Sequence, residues 1–291
     1  MKKYIMAFLL ICILLPAAAL AAVQPLPVDL SGGLPVNDAH YLSDRIYEDE
    51  SLRVEIEERD VGNTRVYIAR VRISDPSQLR TAPAYTFERD QTAPVKAIAE
   101  RVNAVLAING DYFSFQQFVS GGGYLVRQGQ LYHEKPLHGR EVLIIDGNGD
   151  FFIEKKINKE TLAKYEEAGI VNSFNFGPGL VIDGEVLDNY TAKFNSAQKK
   201  TQRCAIAQVK RGEPEYICVV TEGEGQKAGG GMTMEELADF MLSLGVENAY
   251  NLDGGHSTAM IFRGEKLNAV NNADHRPLSD IIYFASAVAA E

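Results

Sequence analysis

The sequence predicts a single α+β domain with a mixed, largely antiparallel β-sheet and flanking helices. Three observations lead there. Four stretches alternate apolar and polar residues on either side of glycine-containing turns. Two longer stretches carry helical periodicity and run straight into short apolar strands. The length of 291 residues suits one large domain, or one with a small addition.

The first hairpin is "LRVEIEERDVGNTRVYIARVRI". Val54 and Ile56 alternate before Gly62-Asn63, and Val66 and Ile68 after it. "YLVRQGQLY", "VLIIDGNGDFFI" and "LVIDGEVL" follow the same logic. In "APVKAIAERVNAVLAINGDYF", Pro94 opens a helix whose apolar stripe is Val95, Ile98, Ala99 and Val102. A strand over residues 104–108 then ends at Asn109-Gly110-Asp111. "GMTMEELADFMLSLGVENAYNLDGGHS" repeats the plan. Thr233 and Glu236 form a capping box, and Met234, Leu237, Ala238, Met241 and Leu242 make the buried face. Gly245 stops the helix, and a strand over residues 249–252 delivers Asp253-Gly254-Gly255. If these two strands are neighbours in one sheet, both polar clusters emerge at the same edge, where open sheets place ligands.

The amino terminus predicts export. Lys2 and Lys3 precede an apolar run over residues 5–15, and Ala19-Leu20-Ala21 supplies small residues for cleavage. The run is too short for a spanning helix, which needs roughly 18–20 apolar residues. Residues 1–21 are the expected signal peptide; cleavage after Ala21 is expected, with an uncleaved tether the alternative. Residues 22–50 have prolines, glycines and no periodicity, as in a linker or loosely docked arm, and residues 51–291 form the domain. Removing Lys2 and Lys3 takes the net charge from −10 to −12, which argues against nucleic acid as partner. Folding "RCAIAQVKRGEPEYICVV" about Arg211 sets Cys204 opposite Cys218, either as a disulfide or as two buried thiols.

Several motifs fail on inspection. "DGNGDF" from Asp146 has Phe151 where a calcium loop requires glycine and Ile157 where it requires glutamate, so it is a hairpin turn. "HEKPLH" has neither the spacing nor the helix of a zinc motif, and "GGHSTA" lacks a nucleophile elbow's second glycine. "GEGQKAGGG" is no P-loop and reads as a mobile loop. What remains is Asn109, Asp111, Asp253, His256, Ser257 and Thr258, with Arg203 and the Asp183-Gly184 hairpin as further candidates. Gly254 and Gly255 allow close approach to backbone amides, which can form an anion nest beside the carboxylates. Such a loop suits a substrate carrying both phosphate and sugar.

"AINGDYF", "GYLVRQGQLY", "FGPGLVIDGE", "RCAIAQ", "GMTMEELADFMLSLGVENAYNLDGGHSTAM" and "RPLSDIIYF" occur in this order. Together they resemble the phosphodiester glycosidase family over about residues 85–285. The resemblance implies release of a sugar from a sugar-1-phosphate diester, and bacterial members are exported and often linked to cell-surface polysaccharide. It also implies an active site lined by residues 109–113, Arg203 and residues 253–258. Asp111 stands where many relatives carry Gly, and His256 where a small residue is common. "VVTEGEGQ" lacks the Asp-Gly-Arg that relatives often show, which leaves Glu222 unassigned.

The expected function is therefore hydrolysis of a glycosyl phosphodiester in an envelope or extracellular glycan. Asp253 and Asp111 are the expected catalytic carboxylates. Asn109, Gly110, Arg203, Gly254, Gly255, His256, Ser257 and Thr258 are expected to bind the sugar-1-phosphodiester or phosphorylated glycan. No cofactor is required on this reading. Two alternatives stand beside it: a non-catalytic exopolysaccharide binding or assembly protein, and a metal-dependent phosphodiesterase using Asp111, Asp253 and His256 as divalent-metal ligands.

Overall fold

The structure, a computed structural model, describes residues 23–88, 91–111, 123–135, 141–187, 190, 197–223, 230–269 and 276–289. The segment expected to direct export, residues 136–138 of "HEKPLH", residues 224–229 of the glycine-rich loop, and Tyr112 and Phe113 lie outside them.

Two short strands, β1 (Tyr41–Ser43) and β2 (Ile46–Glu48), precede the long hairpin of β3 (Leu52–Val61) and β4 (Thr64–Ile73). That hairpin closes on Gly62-Asn63 with Val61 opposite Thr64, as the alternation requires. β5 (Leu79–Pro83), α1 (Val95–Arg101) and β6 (Leu106–Asn109) follow. The next hairpins are β7 (Gly123–Arg127) with β8 (Gln130–Lys135) and β9 (Val142–Asp146) with β10 (Phe151–Glu154). In the second, Asp146 accepts the amides of Asn148 and Asp150 and acts as a turn residue. After α2 (Lys159–Ala163) and β11 (Ile170–Phe174) come β12 (Gly179–Ile182), β13 (Glu185–Val186), β14 (Cys204–Gln208) and β15 (Glu215–Thr221). The chain ends with α3 (Met234–Ser243), β16 (Asn248–Leu252), β17 (Met260–Phe262), β18 (Glu265–Lys266) and β19 (Asp280–Phe284). The Thr233–Glu236 capping box is formed. Leu242 is exposed, and Phe240 takes its expected place on the buried face.

Two sheets organise the molecule. Nine strands run in the order β1-β2-β3-β4-β15-β14-β16-β12-β13, and five in the order β18-β17-β6-β19-β5. Period-two alternation divides each strand between two faces. Val54, Ile206, Cys218 and Tyr250 of the larger sheet share one core with Ile108, Met260 and Ile282 of the smaller. On the far face of the nine-stranded sheet Ala205, Ile217 and Val219 pack under Met234, Leu237 and Met241 of α3. On the far face of the five-stranded sheet Ala107, Ile261 and Ile281 pack under Val95 and Ile98 of α1. Burying such side chains contributes roughly 1.5–3 kcal/mol each, which holds the layers together.

The architecture departs from the expected one in four ways. Every pairing among the described strands is antiparallel, with no parallel pair among them. The three helices among the described residues have 7, 5 and 10 residues, so the fold is strand-rich and not a balanced α+β domain. Alongside these departures, residues 23–50 lie against the domain. β1 and β2 extend the large sheet, Leu26 is buried, and the fully buried Arg80 donates to the carbonyls of Pro27, Asp29 and Ser31. A segment bound through its carbonyls needs no apolar period, which is why its sequence looks like a linker. The β14–β15 register pairs Cys204 with Val220 and Ile206 with Cys218, and both thiols are free and buried.

The fourth departure concerns the site. β6 and β16 are not neighbours: β6 lies between β17 and β19, and β16 between β14 and β12. A buried run of four or five apolar residues does not say which sheet it joins. The polar loop after β16 instead carries the chain from the large sheet to β17, which pairs with β6.

Candidate active site

Asn109 ends β6 and is almost fully buried. Its Nδ2 donates to the Asp253 carbonyl at 2.7 Å, and its Oδ1 accepts the Ala259 amide at 3.1 Å. One side chain therefore fastens both ends of the loop that crosses between the sheets. The clusters 109–111 and 253–258 do come together, through this clamp and not through a shared sheet edge. Asn268 repeats the arrangement, accepting the Met260 amide and donating to the Thr258 carbonyl.

The loop's glycines are needed for packing. A Cβ on Gly254 would fall 2.7 Å from the Gln202 carbonyl oxygen, and Gly255 has φ +58°. Three of the loop's amides are engaged within the protein. The Gly255 amide donates to Gln202, that of Ser257 to Gly254, and that of Thr258 to Gly255. The last two of these bonds form the short 3-10 turn over Gly255–Ser257, and the first ties the loop to Gln202, just before β14. The Thr258 hydroxyl is buried without a hydrogen bond among the described residues. His256 stands exposed on the outer side of the turn.

Asp253 is buried, and burial pushes its carboxyl up to about 6. The Ser257 hydroxyl, near it but outside normal hydrogen-bond geometry, opposes the rise together with the Arg276 charge and the Gly254 amide. The Asp111 charge adds to it.

Behind Asp253 lies a buried ionic cluster that sequence reasoning missed. Asp280 opens β19 and is held by Arg127 through Nε at 3.2 Å and Nη2 at 3.0 Å. Burial pushes Asp280 up to about 6 against the pull of Arg127. The Arg127 guanidinium also donates to the Ser173 carbonyl and lies 4.3 Å from the Phe174 ring centre. Asp111 donates its amide to Asp280 Oδ1, accepts the Asn175 amide at 2.7 Å on Oδ2, and lies 3.6 Å from Arg127. Gly110 is the spacer that makes this possible, because a Cβ there would sit 2.3 Å from Asp280 Oδ1. The available signal was a charged residue opening or closing an otherwise apolar strand, as in "SDIIYF" and "YLVRQ".

Arg203 is adjacent in the fold but faces inward. Its Nε donates to the Met232 carbonyl at 2.9 Å and its Nη2 to the Lys199 carbonyl at 2.8 Å. Burial lowers its pKa to about 10. Glu222 accepts the Tyr67 hydroxyl and the Ala269 amide. Asp183 is elsewhere: it pairs with Arg211 in the β14–β15 turn, at the opposite edge of the large sheet from Leu252. Among the described residues no three His, Cys, Asp or Glu side chains converge as metal ligands.

Asp253, on the loop that joins the two sheets, and Asp111, just beyond β6, are both buried. A family model described as phosphodiester glycosidase matches residues 102–285, more than half of the chain, and the chain belongs to that family. A prophage-derived uncharacterized protein of Bacillus subtilis (strain 168), YomE, is 25% identical over 222 residues. The match covers 71% of this chain and 33% of that protein, so the chain spans about a third of its relative's length. Among solved structures, the zebrafish N-acetylglucosamine-1-phosphodiester alpha-N-acetylglucosaminidase catalytic domain, auto-inhibited by its pro-peptide, is similar in fold. Its TM-score is 0.66 at 17% identity, covering 91% of this chain and 99% of that one. A hypothetical protein from Synechocystis gives 0.53 at 20% identity, covering 80% and 62%.

Proposed function

We propose that the protein is an exported hydrolase that cleaves the glycosidic bond of a sugar-1-phosphate diester, of the N-acetylglucosamine-1-phosphodiester kind, in a cell-surface or extracellular glycan. Membership of the phosphodiester glycosidase family supports a phosphorylated glycan as substrate class. The signal-like amino terminus supports export. The observation that carries the reaction is the burial of Asp253 beside Asp111, with the Asp253 carboxyl pushed up to about 6.

A phosphate monoester is already a good leaving group, so strong proton donation to it is unnecessary. The difficult part is positive charge developing at the anomeric carbon as its bond to the phosphate oxygen breaks. Asp253, ionised above pH 6, stabilises that charge or takes the proton of the attacking water. The C–O electron pair leaves with the phosphate, and water supplies the new hydroxyl on the sugar. Asp111 is held by Asn175, Asp280 and Arg127 in a fixed orientation and sets the field in which Asp253 works. No cofactor enters this scheme.

The test is turnover of a sugar-1-phosphodiester by the wild type and by Asp253→Asn. Loss of one preorganised electrostatic contact should lower kcat by about 10²–10³, while folding is retained. Release of reducing sugar and phosphate monoester is the expected product pair. No hydrolysis by the wild type, or near-normal turnover by the variant, would sink the proposal.

A further inference from the structure

Outward from the buried ionic cluster runs a column of flat side chains. The Arg127 guanidinium, 3.6 Å from Asp111 Oδ2, lies 4.3 Å from the ring centre of Phe174 and 5.7 Å from that of Phe87. The Phe87 ring centre is 5.1 Å from that of Tyr132 on β8, within the range at which aromatic pairs attract. Phe87 is buried and Tyr132 is half-buried, which brings the end of the column to solvent. A lone exposed tyrosine would need no explanation. This one is backed by Phe87, Phe87 is backed by a fully buried guanidinium, and Asp280 fixes that guanidinium at 3.0 Å. The Tyr132 ring is thus a rigid platform joined to the site by contact. It is also near in space. β5 ends with Pro83 opposite Asp280 and lies two strand spacings, about 10 Å, from β6. Phe87 stands on the turn that follows β5.

The groups around the ring suit hydroxyls. The Tyr132 hydroxyl donates to Gln130 Oε1 at 3.1 Å. Its pKa is raised by burial and then by the charge of Glu88, with Arg127 opposing, so Glu88 faces the ring from the β5 side. Glu88 and Gln130 are both exposed. A carboxylate beside the ring repels phosphate, whereas a carboxylate and a carboxamide accept hydrogen bonds from hydroxyls. An aromatic face, in turn, covers the C–H face of a sugar ring. We propose that Tyr132, backed by Phe87 and flanked by Glu88 and Gln130, is a subsite for an uncharged sugar ring of the substrate glycan, away from the bond that breaks at Asp253. A ring already held in place loses little freedom on binding. Contacts remote from the reacting bond hold substrate and transition state alike, so this subsite acts on KM. That the sugar belongs to the substrate rests on the hydrolase reading; sugar binding at Tyr132 does not.

The experiment is calorimetric titration and saturation-transfer NMR with a panel of uncharged oligosaccharides, N-acetylglucosamine oligomers among them. The proteins are the intact wild type and its Tyr132→Ala, Tyr132→Phe and Glu88→Ala variants. The wild type should bind at least one member saturably, with saturation passing from aromatic protons to the sugar C–H protons. Tyr132→Ala should weaken that binding about tenfold, and Tyr132→Phe, which keeps the ring, should restore most of it. Glu88→Ala changes an exposed side chain and should also weaken binding, which decides the matter if Tyr132→Ala does not fold. Saturable binding of no member of the panel, or undiminished affinity in either alanine variant, overturns the proposal. In turnover, Tyr132→Ala should raise KM for an oligosaccharide phosphodiester more than for a monosaccharide one, with kcat less affected. Oligosaccharide binding at Tyr132 without any hydrolysis would remove the hydrolase reading and leave the sugar subsite standing. Hydrolysis with the two KM values changed equally would do the reverse.

Discussion

Asp253 binds its proton more tightly in the folded protein, near 6, than an unfolded chain does, near 3.9. Protonation therefore favours the folded state. That advantage is complete below about pH 4 and is lost as the pH rises through 6. Above pH 6 the ionised carboxylate burdens the fold by on the order of 3 kcal/mol, since a tenfold change in proton affinity is worth about 1.36 kcal/mol. Asp253→Asn removes the ionisation and keeps the shape. Urea midpoints should therefore be higher for the variant at pH 7.5 and equal to wild type at pH 4. Destabilisation by the same amount at both pH values would mean that the carboxylate's hydrogen bonds, and not its buried charge, matter. The expected rise at pH 7.5 would show stability traded for function at this residue. Asp253 and Asp111 were legible in the sequence because Asp beside Gly after an apolar strand is conspicuous. Asp280 and Arg127 were not, because a lone charge at a strand end usually means only an exposed end, and their contact spans 153 residues.

At the scale of elements, the loop between β16 and β17 is held at both ends by Asn109 and again by Asn268. Asn109→Ala strips hydrogen bonds from the buried Asp253 carbonyl and Ala259 amide. Each buried group left unpaired costs about 1–3 kcal/mol, so the loop should loosen before the sheets do. The expected result is faster amide exchange over residues 253–259, with protection in β14 and β15 unchanged, and a fall in kcat greater than any rise in KM. Uniform loss of protection through both sheets would show that Asn109 supports the whole fold and not the loop. The hairpins were readable from alternation and turn residues, as in β3–β4. Sheet membership was not, because β6 and β16 look alike as short apolar runs after helices. The cysteine register shows the same limit in miniature. The strands fold about residue 212 and not 211, so Cys204 meets Val220 and lies diagonal to Cys218.

The whole molecule depends on a contact that no motif announces. Arg80 is fully buried on β5, yet its nearest carboxylate is Asp29 at 3.6 Å. Its guanidinium is satisfied mainly by the carbonyls of Pro27, Asp29, Ser31 and Ser77 and by the Tyr283 hydroxyl. A guanidinium presents five donors in a fixed fork, and here that fork draws the amino-terminal arm across the edge of the five-stranded sheet. From there the Gly33 amide reaches the Val102 carbonyl beyond α1, and β1–β2 complete the large sheet on the other side of the core. The arm thus ties both sheets and α1 into one unit, and the Asp253 loop spans the same two sheets from within. Arg80→Met keeps the apolar stem and removes every donor. Four carbonyls lose their common partner, and partly exposed ones recover water only if the arm lifts. The variant should be cut by protease between residues 27 and 40 under conditions where the wild type is not, and should lose about 3 kcal/mol or more of stability, as expected for breaking a buried polar network. Turnover measured well below the melting temperature should fall much less, because Arg80 belongs to the arm and not to the loop. Cleavage of the wild type in that span at the rate of the variant would return the arm to the status of a linker, and the two sheets would then have to be held together by their shared core and the Asp253 loop alone.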